Sequence, residues 1–312
     1  MPAGRGVPVR RAVHRAAESM TTPGRDADAA VRPAAVAGTF YPADPVRLAK
    51  MAAALLAGAT AAAAPGVPRG ILVPHAGLAY SGLVAAAGWR LVPDGSTVVV
   101  LGTNHTAAWL HGVGAWEEGR WLTPLGEVAV DADLAADILA LGLPFAPDRA
   151  AHREEHSIEV QLPLLRTAAP AARIVPLAVG SGTGTGAVAA GERLGMLLAH
   201  RRAAGASIVL AISTDMAHYP PADACARVTQ ALLPAIVGLL PEELALVEAA
   251  VGRGIGAGMA CGMCGIEPAV LGLAALRAMG ATPGVALASA TSADAGADPR
   301  RTVGYLTVAF WS

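Results

Sequence analysis

Three apolar runs in this chain each lead directly to a histidine, and that arrangement restricts the fold more than any other feature. Residues 71–73 run into Pro74 and His75. Residues 98–101 run into Gly102-Thr-Asn-His105, and residues 208–212 into Ser213-Thr-Asp-Met-Ala-His218. Each run is continuously apolar, as in a strand buried on both faces. Longer Ala- and Leu-rich stretches separate them. We read helices over residues 81–91, 131–141, 157–167, 187–203, 222–239, 241–252 and 267–279, and strands over 70–74, 96–102, 173–179, 207–213, 285–290 and 303–310. Asp131 and Ser157 stand where a side chain caps a helix start. Buried strands alternating with helices predict an α/β fold with its central sheet covered on both faces. Ligands in such sheets bind beyond the carboxyl ends of the strands. If these three strands run parallel, His75, His105, Asp215 and His218 meet in one crevice.

Composition narrows the classes. The chain is 54% hydrophobic and 15% charged, which raises the question of a membrane protein. The apolar residues are largely Ala, and Pro65, Pro234 and Pro241 interrupt the apolar runs. No stretch reaches the about 20 residues a spanning helix needs. A net charge of −1 does not provide the basic face that nucleic acid demands. Three cysteines are too few for a disulfide framework, so a reducing cytoplasm is expected. The one lysine, Lys50, precedes Met51, which excludes a Gly-Lys-Ser/Thr phosphate loop, and its Ala-rich helical setting does not suit a Schiff base. No Gly-x-Ser-x-Gly elbow occurs. Residues 1–30, with Arg5, Arg10, Arg11, Arg15 and Arg25, read as a disordered basic extension, and Met20 is an alternative start. Residues 31–312 read as a single domain.

The scarce polar residues point to metal chemistry. Cys261 follows a glycine-rich approach beginning at Gly254. Imidazole and thiolate donors suit iron, copper or zinc, whereas hard cations want carboxylates. Two histidines and one cysteine leave coordination positions open, as a reactive centre requires.

Three other patterns carry less. His152-Arg-Glu-Glu-His156 matches the inverted zincin pattern, but a Ser157 cap leaves His152 outside the helix that both histidines would have to share. Cys261-Gly-Met-Cys264 has redox-dithiol spacing. Gly180-Ser-Gly-Thr-Gly-Thr-Gly186 lacks the dinucleotide spacing and the acidic residue that should follow it, and reads as a loop. Tyr80, Asn104 and Glu159 are second-tier pocket candidates.

Six ordered motifs carry a resemblance. They are Gly38-Thr-Phe-Tyr-Pro42, Pro74-His-Ala-Gly-Leu-Ala-Tyr-Ser-Gly82, Gly102-Thr-Asn-His105, Glu155-His-Ser-Ile-Glu-Val-Gln-Leu-Pro163, Ser213-Thr-Asp-Met-Ala-His218 and Cys261-Gly-Met-Cys264. Over about residues 31–310 the chain resembles the Memo family, whose bacterial and archaeal members are called AmmeMemoRadiSam system protein B. The resemblance implies a three-layer α/β/α sandwich around a mostly parallel sheet, similar to class III extradiol dioxygenases. It implies a mononuclear non-haem metal, Fe(II) first, then copper, with zinc less suited, held by His75, His105 and Cys261. His218, Asp215 and His156 would line the pocket as catalytic groups. It further implies redox or oxygen chemistry on an unidentified small molecule, or else an accessory role beside radical-SAM and AMMECR1-like partner proteins. Ring cleavage as a true extradiol dioxygenase is a third implication, weakened because Cys261 stands where those enzymes place a carboxylate. Many members carry Cys-Gly-Arg-His, so Cys264 is a departure and a candidate extra ligand or redox partner.

Overall fold

The computed structural model describes residues 30–59, 65–181, 186–254 and 258–312. The basic extension expected at the N-terminus and most of the glycine-rich loop after Gly180 lie outside them. The chain begins with β1 (Val31–Arg32), α1 (Pro45–Gly58), β2 (Gly70–Val73), α2 (Leu78–Trp89) and β3 (Thr97–Thr103). Four short strands follow, β4 (Val113–Ala115), β5 (Arg120–Thr123), β6 (Gly126–Ala129) and, after α3 (Ala132–Leu139), β7 (Phe145–Pro147). The second half contains α4 (Leu162–Ala168), β8 (Arg173–Val179), α5 (Gly186–Ala203), β9 (Ile208–Ser213), α6 (Ala222–Val237), α7 (Pro241–Gly254), α8 (Ile266–Ala278), β10 (Val285–Thr291) and β11 (Gly304–Phe310).

Eight strands form one sheet in the order β10-β11-β2-β9-β3-β8-β4-β7. Its centre, β2-β9-β3-β8, is wholly parallel. Antiparallel pairings appear only toward the edges. The period-two alternation of strand side chains divides the core. Val99, Leu101, Leu210 and Ile212 face α3, α5, α6, α7 and α8. Val98, Val100, Val209 and Ala211 face α1, α2 and α4. The result is the expected α/β/α sandwich. A small sheet, β1-β5-β6, covers part of the second face. Among the described residues no helix is long and apolar enough to cross a membrane.

Asp131 caps α3 as expected, accepting from the Leu134 amide. Ser157 does not cap a helix. The helical turn begins at Glu159 as 3₁₀ and α4 starts only at Leu162, with Pro163 in its first turn, where a missing N–H costs nothing. Ser157 Oγ instead donates to the Thr103 carbonyl at 2.7 Å, tying this turn to the end of β3. Gly102 permits the approach, because a Cβ there would stand 2.4 Å from Ile158 Cγ1 and 2.8 Å from Ser157 Oγ.

Candidate metal centre

Parallel register delivers the site. Val73 pairs with Ser213, and Gly102 pairs with Ser213 on the other side. The residues just past these strand ends therefore gather at one edge: His75 after β2, His105 after β3, Asp215 after β9. The turn pinned beneath β3 adds His156. The nearest available donor atoms of His75, His105 and His156 all lie within 4.8 Å of one another. The three rings make mutual centroid distances of 5.2, 5.5 and 4.5 Å. His75 is buried, while the side chains of His105 and His156 keep 29% and 19% of their surface exposed, so the group opens to solvent on their side.

The surrounding hydrogen bonds determine which ring nitrogen carries the proton. Glu155 is fully buried, and its oxygens receive the His105 amide, the His156 amide and the Ser157 amide. Burial pushes its carboxyl up, but the hydrogen bond from His105 and the neighbouring imidazoles outweigh this and hold it at about 2. An ionised carboxylate only accepts. The His105 Nδ1, 3.0 Å from Glu155 Oε1, must therefore donate, and Nε2 is the ring nitrogen turned away from that carboxylate. His156 Nδ1 lies 3.3 Å from the same oxygen.

His75 is fixed by a longer relay. Ser213 Oγ gives its single proton to the Ser157 carbonyl at 2.6 Å and accepts from Gln161 Nε2 at 2.9 Å. Gln161 is oriented in turn, because its Nε2 also donates to the Pro74 carbonyl and its Oε1 accepts from Trp89 Nε1. Ser213 Oγ can then only accept from His75 Nδ1, 3.0 Å away. The lone pair of His75 is thus on Nε2, and the atom that meets it is Cys264 Sγ at 3.3 Å. Burial foremost, and then its imidazole neighbours, push His75 well below the usual range. Burial likewise takes His156 and His218 to about 4. These rings are neutral at pH 7, the state a metal ligand needs.

Asp215 accepts the His75 and Ala76 amides through Oδ1. Burial pushes its carboxyl up to about 7 against those two hydrogen bonds. His218 Nε2 lies 3.9 Å from Asp215 Oδ2 and is buried without a hydrogen-bond partner. Cys261 is half-buried and pairs its backbone with His218. Burial, with Glu248 adding to it, pushes its thiol up to about 11. Among the described residues the three-imidazole group does not include Cys261.

Two other sequence candidates resolve as structural. His152 is buried on a 3₁₀ turn with Nε2 on the Gly114 carbonyl, away from His156, so the inverted zincin geometry is absent. Glu159 lies beneath the site, paired with the buried Arg32 at 2.6 Å. Asn104 caps its own loop through Ala107, and Tyr80 is exposed. Ser213 and Gln161 were not singled out in the sequence. Both lie inside motifs that were, but an alcohol and an amide carry no metal signature of their own.

A family model described as "Memo-like protein" matches residues 32–309. A "MEMO1 family protein" of Aquifex aeolicus is 36% identical over 282 residues, covering 90% of this chain and 99% of that protein. One from Methanopyrus kandleri is 32% identical over 290 residues, 89% of this chain and 98% of that one. One from Sulfolobus acidocaldarius is 35% identical over 294 residues, 90% and 99% respectively.

Proposed function

The chain belongs to the Memo-like family, and on that premise we propose that it works through one mononuclear metal bound at the strand ends, with redox or oxygen chemistry as its activity. One observation carries the reading: three imidazoles offer donor atoms within 4.8 Å of one another, with Nδ1 of His75 and of His105 each engaged by a buried partner behind it. The site fits a metal by its donor chemistry. His75 and His105 belong both to this group and to the set the family resemblance implies. His156 completes the group in the geometry at hand, where the resemblance implies Cys261.

Nitrogen donors with open positions suit Fe(II) or copper, either of which supplies Lewis-acid and one-electron chemistry when bound. The protein's own part is orientation and proton handling. Glu155 lies against two rings at once and fixes the orientation of His105, the carboxylate–histidine arrangement common behind metal ligands. His218 Nε2 has no protein partner, so it is the group free to take or give a proton at a bound small molecule. Asp215, with Oδ2 3.9 Å from that nitrogen, stabilises positive charge that forms on the ring when its carboxyl is ionised. The accessory reading predicts the same metal without turnover.

Metal analysis of protein purified without oxygen tests the assignment. Stoichiometric metal is expected in wild type and is lost in His75→Ala, His105→Ala and His156→Ala. Metal that survives all three would sink the site. Loss in Cys261→Ser with retention in His156→Ala would restore the two-histidine, one-cysteine set. Oxygen uptake over a catechol panel separates enzyme from accessory protein.

A further inference from the structure

We propose that Arg301 anchors a carboxylate on the small molecule that this centre acts on, which makes the substrate a monoanionic organic acid. The inference rests on the metal-centre reading above for where the rest of the acid lies. It starts from Tyr219, which follows His218 and has a φ of 75°. That left-handed conformation is rare for a bulky side chain and crowds its Cβ. Such strain persists where the surrounding structure enforces it, commonly at ligand sites. Here the segment is clamped by the strand that leads into β11. The Tyr219 amide donates to the Thr302 carbonyl at 2.6 Å, and the Thr302 amide donates to the Pro220 carbonyl at 2.9 Å. The buried Thr302 hydroxyl donates to that same carbonyl. The strained residue sets its ring edge-on to the His218 ring, with centroids 5.6 Å apart. Arg301 lies over the tyrosine ring, with Cζ 4.2 Å from its centroid. It is therefore two ring contacts from the imidazole whose Nε2 is buried without a partner.

The bonds that Arg301 lacks identify its ligand. Among the described residues no carboxylate pairs with it, and its guanidinium donors have no acceptor. The acids of the same loop are already engaged. Arg300 takes Asp298, donating from Nε to Oδ1 and from Nη2 to Oδ2. Asp294 accepts from the Thr291 amide and hydroxyl. Arg301 thus keeps its charge and its N–H fork, the geometry that matches a carboxylate in two parallel hydrogen bonds. The cation–π contact with Tyr219 holds the long side chain in place, which lowers the entropy cost of engaging a ligand. Arg300 is neutralised by Asp298, so Arg301 offers a single positive charge. One cation suits a carboxylate monoanion rather than a phosphate dianion. An acid held here extends past Tyr219 toward His218, the group that handles the proton.

The test measures binding and not turnover. The full chain, purified without oxygen, is titrated by calorimetry with acetate, benzoate, phenylacetate and 3,4-dihydroxybenzoate, with the neutral amide of each, and with phenyl phosphate. Metal content is measured in parallel, and circular dichroism checks the folding of each variant. At least one acid is expected to bind wild type about tenfold more tightly than its amide. Arg301→Gln should abolish that preference, the effect of losing one charge-assisted hydrogen bond. Arg301→Lys should retain part of it. Tyr219→Phe should keep it and Tyr219→Leu should weaken it, because the ring positions the guanidinium. Arg227→Gln, at an exposed arginine on α6, should leave it unchanged. Acids that bind no better than their amides across the panel overturn the proposal, as does a preference that survives Arg301→Gln. Tighter binding of phenyl phosphate than of benzoate overturns the choice of a carboxylate. Any of these results with stoichiometric metal in wild type leaves the metal centre standing. An Arg301-dependent preference in protein that takes up no metal overturns the metal-centre reading and leaves the anchor in place.

Discussion

Removing the charge of Glu159 should destabilise the fold severely. Its two oxygens take four donors: Oε1 accepts the Val36 amide and Tyr41 hydroxyl, and Oε2 accepts Arg32 Nη1 and the Ala35 amide. All four face it, so the amide nitrogen of Glu159→Gln must confront donors whichever way it turns. Arg32 meanwhile loses its counter-charge in a fully buried position over the Trp121 ring. Breaking a buried pair from one side costs about 3–5 kcal/mol. For a chain of 312 residues that corresponds to a fall in melting temperature of about 5–8 °C. Arg32 also donates to the carbonyls of His152 and Glu155, so metal affinity should fall together with stability. Thermal and urea melts of wild type, Glu159→Gln and Glu159→Ala measure the effect. Arg227→Ala, which breaks the exposed pair with Asp223, serves as a control expected within about 0.5 kcal/mol of wild type. A Glu159→Gln protein within about 1 kcal/mol of wild type would refute the reasoning, because the confrontation of donors would then have been relieved by water or rearrangement.

Acid should destabilise the metal-free protein through its buried imidazoles. Burial, against the Gly114 hydrogen bond, holds His152 at about 4. The fold therefore favours its neutral form, and this contribution, of about 3 kcal/mol, is complete above pH about 6.5 and lost as pH falls toward 4. Urea midpoints at pH 7 and 5 should drop more for wild type than for His152→Gln; parallel drops would exclude His152 as a source. Gly102→Ala forces a methyl against Ile158 and Ser157 and should cost about 1–3 kcal/mol. An unchanged midpoint would mean the turn carrying His156 can retreat without loss.

The buried central strands were legible because their apolar runs are continuous, and the histidines past their ends inherit position from parallel register alone. What was not legible depended on short or non-repetitive pieces. Strands β4 to β7 are three or four residues each, too short to show a period. Ser157 has the chemistry of a helix cap, yet its hydroxyl satisfies the Thr103 carbonyl in another element, a choice that local sequence does not encode. Glu155 was visible as the acid of a protease-like pattern and as the first residue of a family motif, neither of which indicates that its carboxylate lies against two rings. Cys261 and Cys264 look equivalent in a Cys-x-x-Cys, and only the folded turn shows which sulfur meets His75.

The relay that fixes His75 also determines when the centre can exist. Ser213 lies 138 positions from His75, Cys264 lies 189 positions away, and the Arg32 contact to His152 spans 120. Contacts this distant close late, because loop-closure entropy must be met before they contribute. The centre is therefore a product of completed folding and cannot nucleate it. An ion that binds only the finished arrangement acts as a lock on it, adding its binding free energy to the resistance of the whole chain against unfolding.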